Sequence, residues 1–110
     1  MKKGYIVAMV DVTDPEGYQE YIAANAVAFD KFGARFLVRG GDRSVVEGAM
    51  RARLVVIEFP TYQAAQDCYH SPEYARAIAL REGRAIADIA ILEGYDGPQP
   101  SDTVATGKLP

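Results

Sequence analysis

Apolar residues crowd into four short runs along the chain, and between the runs their spacing lengthens from two to three or four. Gly4–Val12 (GYIVAMVDV) is dense in Ile, Val, Met and Tyr and predicts a strand. Thr13-Asp14-Pro15 predicts a helix start, because Asp14 or Thr13 can accept from the free first-turn amides and proline suits the first helical position. That helix is expected to run to about Phe32, with Tyr18, Tyr21, Ile22, Phe29 and Phe32 on one face and Gly33 as a left-handed stop. Ala34–Arg39 reads as the second strand, followed by a Gly40-Gly41-Asp42 turn and a polar loop through Arg51. Ala52–Phe59 reads as the third strand and ends at Pro60. Thr61 then caps a short helix through Tyr69, and Ser71-Pro72-Glu73 starts another that runs to about Arg84. Ala87–Tyr95 reads as the fourth strand.

The order is thus β-α-β-β-α-β. With right-handed crossovers this predicts an α+β, ferredoxin-like sandwich, in which a four-stranded antiparallel sheet carries two helical segments on one face. The domain is expected over residues 1–96. Residues 97–110 (GPQPSDTVATGKLP) have the composition of a flexible C-terminal tail.

A sheet open to water on one side should alternate apolar and polar residues. These strands do not. Ile6, Ala8 and Val10 oppose Tyr5, Val7 and Met9, Leu54 and Val56 oppose Val55, Ile57 and Phe59, and Ile89 and Ile91 oppose Ala90 and Leu92. Two helices cover one face, so the other needs a second cover. A second copy of the same sheet is the simplest, which predicts a homodimer.

Composition narrows the setting. The chain has 110 residues, a size suited to one domain, and a net charge of −3 that disfavours phosphate backbones and so a nucleic-acid role. The single cysteine, Cys68, has no internal partner and suits a reducing cytoplasm. MKKGYIVAMVDV has two lysines and an apolar run, but Asp11 and Asp14 interrupt it and no cleavage pattern follows. No segment approaches the ~20 apolar residues that cross a bilayer, so no membrane role is expected.

Several side chains are candidates for chemistry, each with a plainer alternative. Asn25 sits on the apolar stripe of the first helix, either bonded to backbone or water, or orienting a ligand. Arg39 ends the second strand, as a surface ion pair with Glu47 or Glu58, or as a carboxylate clamp. Tyr74 and Arg81, seven apart, share a helical face near Tyr69. Ser71 is a helix cap or part of an anion site at that helix start. His70, Glu47 and Asp88 are the proton-transfer candidates, with Asp88 alternatively neutralising Arg81 or Arg84. No metal-ligand spacing is present and no cofactor is implied. Cys68 lacks a patterned base and reads as a buried, inert thiol.

The segments Arg39-Gly40-Gly41, Glu47-Gly48, Glu58-Phe59-Pro60, Ala64-Ala65, Tyr69-His70-Ser71-Pro72-Glu73-Tyr74 and Arg81 resemble the family called domain of unknown function 1330. The likeness covers roughly residues 3–95, and Asn25 and Gly33 fit it. It implies ferredoxin-like domains that pair into a dimeric α/β barrel, and no assigned reaction. Where many members carry a tryptophan, this chain has Cys68. Fold relatives of that type include cofactor-independent monooxygenases, haem-degrading enzymes and small-molecule binding domains. Two functions stay open. One is an enzyme on a small carboxylate or aromatic metabolite, with Arg39 or Arg81 holding the acid and Asn25 and Tyr74 orienting it. The other is a non-catalytic ligand-binding or structural homodimer.

Overall fold

The computed structural model describes residues 1–107. Its elements are β1 (Gly4–Val12), α1 (Pro15–Lys31), β2 (Arg35–Arg39), β3 (Arg53–Phe59), α2 (Tyr62–Tyr69), α3 (Pro72–Arg81), β4 (Ala85–Glu93) and α4 (Pro100–Thr106). The sheet order is β2-β3-β1-β4, with every neighbouring pair antiparallel. This is the expected α+β arrangement, its second helical segment broken into α2 and α3.

The helix starts form as their residues dictate. Asp14 accepts from Gly17 N, Thr61 from Ala64 N and Ser71 from Tyr74 N, each capping an otherwise free amide. Each such cap is worth about 1 kcal/mol. Gly33 takes φ 73°, the left-handed conformation that α1 needs after its Phe32 C-cap. Gly4 is required for a different reason. A Cβ there would lie 2.4 Å from the Thr61 carbonyl oxygen, so β1 can pass beside the start of α2 only without a side chain.

The core lies between the helices and one sheet face. Ile6 and Val10 from β1 and Ile57 and Phe59 from β3 meet Tyr18, Tyr21, Ala28 and Phe29 of α1, Ala65 and Cys68 of α2, and Tyr74 and Ala77 of α3. Full burial of each large side chain contributes about 1.5–3 kcal/mol. A Lys31–Glu73 ion pair of 2.6 Å ties the end of α1 to the start of α3.

Several boundaries differ from expectation, and β2 and β3 each begin one residue late, at Arg35 and Arg53. Helix α3 stops at Arg81 rather than near Arg84, because Gly83 at φ 74° turns the chain and lets Arg84 N donate to Arg81 O. Strand β4 consequently begins and ends two residues early, at Ala85 and Glu93. The stretch after Asp96, which composition marks as irregular, forms α4, held at its start by Gln99 N donating to Asp102 Oδ2 (2.7 Å) and ended by Gly107 at φ 69°. None of its residues is buried. Residues 108–110 of the expected tail lie outside the described residues.

The outer sheet face carries Val7 and Met9 of β1, Leu54 and Val56 of β3, Val38 of β2 and Ala90 and Leu92 of β4 in paired register. Val38, Ala90 and Leu92 are exposed. No helix among the described residues is long and apolar enough to cross a membrane.

Candidate functional site

A cavity opens between α1, α3 and the inner sheet face. Helix α1 sends Tyr18, Tyr21, Ile22, Asn25 and Phe29 into it, α3 sends Tyr74 and Arg81, and the sheet floor is Ile6, Val55, Ile57 and neighbouring apolar residues. The helical positions recur at three and four, which is why one stripe can line it. Its remaining polar residues are Arg39, from the end of edge strand β2, and Arg53, from the start of β3.

A bulge sets the position of Arg39. Phe36 pairs with Ile57 and Arg39 with Val55, but the register shifts between Phe36 and Val38. In regular alternation two residues three apart face opposite sides, and the bulge turns both to the inner face. There the Arg39 guanidinium sits 4.2 Å from the centre of the Phe36 ring. Arg53 reaches the same face by plain alternation, two residues before Val55.

Deeper in, the hydroxyls of Tyr21 and Tyr74 are 2.6 Å apart, and Arg81 Nη1 donates to both, at 3.2 and 3.4 Å. Tyr74 is 1% exposed, and burial first, then its Tyr21 neighbour, push its phenol above the ordinary range. Burial also raises Tyr18, reinforced by Tyr21, against the pull of Arg53, Arg81 and Arg39. All three guanidiniums thus act on one buried phenol. Tyr18 and Asn25 are each 7% exposed, and neither the Tyr18 hydroxyl nor the Asn25 carboxamide hydrogen-bonds another described residue. Neither polar group is fully shut off from solvent, so both are open to water or a ligand in the cavity.

None of Arg39, Arg53 and Arg81 forms an ion pair among the described residues, and no Asp, Glu, His, Cys or Lys lines the cavity. The cavity volume is about 40 Å³, and its mouth is open to solvent. Phe36 and Arg39, both exposed on the edge strand, are among its lining residues.

The sequence candidates divide accordingly. Asn25, Arg39, Tyr74 and Arg81 come together in this cavity. His70, Glu47 and Asp88 do not line it. His70 is the exposed C-cap of α2, its ring edge-on to Tyr69 at 5.2 Å. Glu47 is exposed in the β2–β3 loop. Asp88 faces outward and accepts from Arg51 Nε at 2.8 Å, while Arg51 Nη1 donates to Asp11 at 3.0 Å, so Asp88 neutralises neither Arg81 nor Arg84. Arg84 binds Glu20 instead, and Glu58 lies near Lys3 rather than Arg39. Ser71 is spent on structure, because its hydroxyl donates to Cys68 O (2.7 Å) while accepting from Tyr74 N (3.1 Å). Cys68 is fully buried, and burial pushes its thiol up to about 12, so it is no nucleophile near neutrality. Among the described residues no group of three His, Cys, Asp or Glu forms a metal-holding set.

Three cavity residues were missing from the sequence candidates. Arg53 was signalled by its alternation with Val55 and Ile57. Tyr18 and Tyr21 were visible only as part of the apolar stripe, since nothing local says where their hydroxyls end.

The family model for the domain of unknown function DUF1330 matches residues 3–95. The chain belongs to this DUF1330 family. No curated protein matches it. Among solved structures, a protein of unknown function from Rhodopseudomonas palustris superposes with a TM-score of 0.67 at 15% identity, covering 87% of this chain and 85% of that one. SnoaB from Streptomyces nogalater, a cofactor-independent oxygenase, gives 0.60 at 13% identity, covering 91% and 99%. A dimeric ferredoxin-like protein of unknown function from Thermobifida fusca gives 0.51 at 16%, covering 83% and 92%. At these identities the likeness is one of fold, and the DUF1330 assignment carries no reaction.

Proposed function

We propose that this DUF1330 chain binds a small carboxylate with an apolar or aromatic body in the cavity between α1, α3 and the inner sheet face. The observation that carries the reading is the set Arg39, Arg53 and Arg81, three guanidiniums facing one cavity with no carboxylate partner among the described residues. Guanidinium recognises carboxylates through paired, charge-assisted hydrogen bonds. Asn25 and the Tyr18 hydroxyl orient the ligand, and Phe29, Phe36 and the tyrosine rings pack its body.

As an enzyme, the site would work by stabilising negative charge on oxygen, with Arg81 and the Tyr21–Tyr74 pair as donors. No Asp, Glu, His, Cys or Lys lines it, so a reaction there would draw on the substrate's own acidity. SnoaB's fold and its independence of cofactors suit this reading. The same lack of an acid or base equally favours a binding protein without turnover. Thermal melting with a panel of organic acids and their amides separates the outcomes. Acids should raise the melting temperature where amides do not, and Arg81→Gln should abolish the shift. No shift with any acid would sink the reading, and product formation decides between enzyme and binder.

We further propose a homodimer through the outer face. Support comes from the paired apolar rows around Val7 and Val56, and from the dimeric Thermobifida neighbour of the same fold. The lone buried thiol fits a reducing, cytoplasmic setting.

A further inference from the structure

Resting on the anion-binding reading of this cavity, we propose that its ligand is a dianion, a dicarboxylate or a phosphomonoester on one apolar or aromatic body, rather than a single carboxylate. The charge lies at two stations. At the rim, Arg39 pairs in register with Val55, and Arg53 stands two residues before Val55 on the same face. On adjacent strands such diagonal neighbours are about 7–8 Å apart. The Arg53 Nη1 atom lies 3.6 Å from where a Cβ on Gly40 would sit, next to Arg39 along the chain. Two like charges held together repel unless an anion sits between them. The inner station is Arg81 with the Tyr21 and Tyr74 hydroxyls.

The chain does not lack acids to neutralise these groups. It has 15 Asp and Glu against 12 Lys and Arg, yet the acids go elsewhere. Arg51 binds both Asp11 and Asp88, and Arg84 approaches both Glu20 and Asp14. Three positive groups face the cavity with only neutral polar neighbours, Asn25 and the tyrosines. A monoanion leaves two of those charges uncompensated. A dianion leaves one: a dicarboxylate reaches both stations, and a phosphomonoester sets both charges between Arg39 and Arg53 at the rim. The apolar floor and aromatic walls favour a nonpolar body attached to the anionic group or groups.

The test is isothermal titration of the full chain at about pH 8, where a phosphomonoester is doubly ionised. The ligands share one ring: benzamide, benzoate, isophthalate and phenyl phosphate. At least one dianion should bind about tenfold or more tighter than benzoate, one further charge-assisted contact. Benzamide should bind weakest. Preference for isophthalate identifies a dicarboxylate source and preference for phenyl phosphate a phosphate source. The doubly substituted Arg39→Gln/Arg53→Gln chain, whose changes lie at the solvent-facing rim, should bring the dianion-to-benzoate ratio close to one. Benzoate binding as tightly as both dianions overturns the dianion proposal and leaves the carboxylate site standing. A dianion preference that survives in the double variant also overturns it. If no acid binds the folded chain, the underlying carboxylate reading falls with it.

Discussion

The hydroxyl of Tyr21 on α1 lies 2.6 Å from that of Tyr74 on α3, and the Arg81 guanidinium donates to both. This bond links two helices 53 residues apart in sequence and sets the inner wall of the cavity. Tyr74→Phe keeps the ring packing and removes one hydroxyl. It should lower stability by about 1 kcal/mol, the usual net worth of a buried hydrogen bond, as read by urea denaturation. An unchanged midpoint would mean that the pair contributes nothing to the fold.

Alkaline conditions should destabilise the protein. Cys68 is raised from 9.0 to about 12 in the folded chain, and Tyr18 and Tyr74 are raised above 10.0, in each case chiefly by burial. A group with a raised folded pKa holds its proton longer folded than unfolded. Its stabilising contribution is therefore complete below the unfolded value and is lost as pH climbs toward the folded one. Stability should be flat with respect to these groups below about pH 9, decline from there, and fall more steeply above about pH 10 as the tyrosines join. Tyr74→Phe should make the upper part of the decline shallower. A native Cys68 should also resist thiol reagents at about pH 8 and react on unfolding.

Ser71→Ala separates a structural from a binding role for this serine. Its hydroxyl is engaged with Tyr74 N and Cys68 O. The substitution should cost about 1 kcal/mol through the lost cap and leave ligand affinity unchanged once the variant is fully folded. Weakened binding by a folded variant would return Ser71 to the site.

Much of the fold was legible because its signals are local. Asp14-Pro15, Thr61 and Ser71-Pro72 carry their helix starts in one or two residues each, and the alternation through Leu54–Phe59 gives both faces of β3. The site was half legible for the same reason. Tyr74 and Arg81 share a face by helical spacing, and Arg53 follows by counting back from Val55. The bulge that turns Phe36 and Arg39 inward depends on how β2 pairs with β3, which no local pattern declares. The partner of Asp88 was equally out of reach, because Arg51 comes to it from a loop 37 residues away. Composition alone also hides α4, whose start rests on one backbone-to-side-chain bond, from Gln99 to Asp102.

The outer face gives a prediction about assembly. Val7 pairs with Val56 on one side and Ala90 on the other, at the middle of the apolar rows. Val7→Asp would bury an unpaired carboxylate in any sheet-to-sheet interface, at a cost of several kcal/mol. Sedimentation should show a dimer for the native chain and a folded monomer for the variant. A native monomer, or a variant that still dimerises, contradicts the outer-face interface.

The cavity reading is tested most directly by nuclear magnetic resonance of the side chains themselves. Titrating an aromatic carboxylate into isotope-labelled protein should shift the Arg39, Arg53 and Arg81 Nε–H signals and the Asn25 carboxamide together, saturating at one common ligand concentration. Arg51 and Arg84, already paired with acids, should stay unmoved. Shifts confined to Arg51, Arg84 or the outer face, or no saturable shift in the cavity set, would contradict the account.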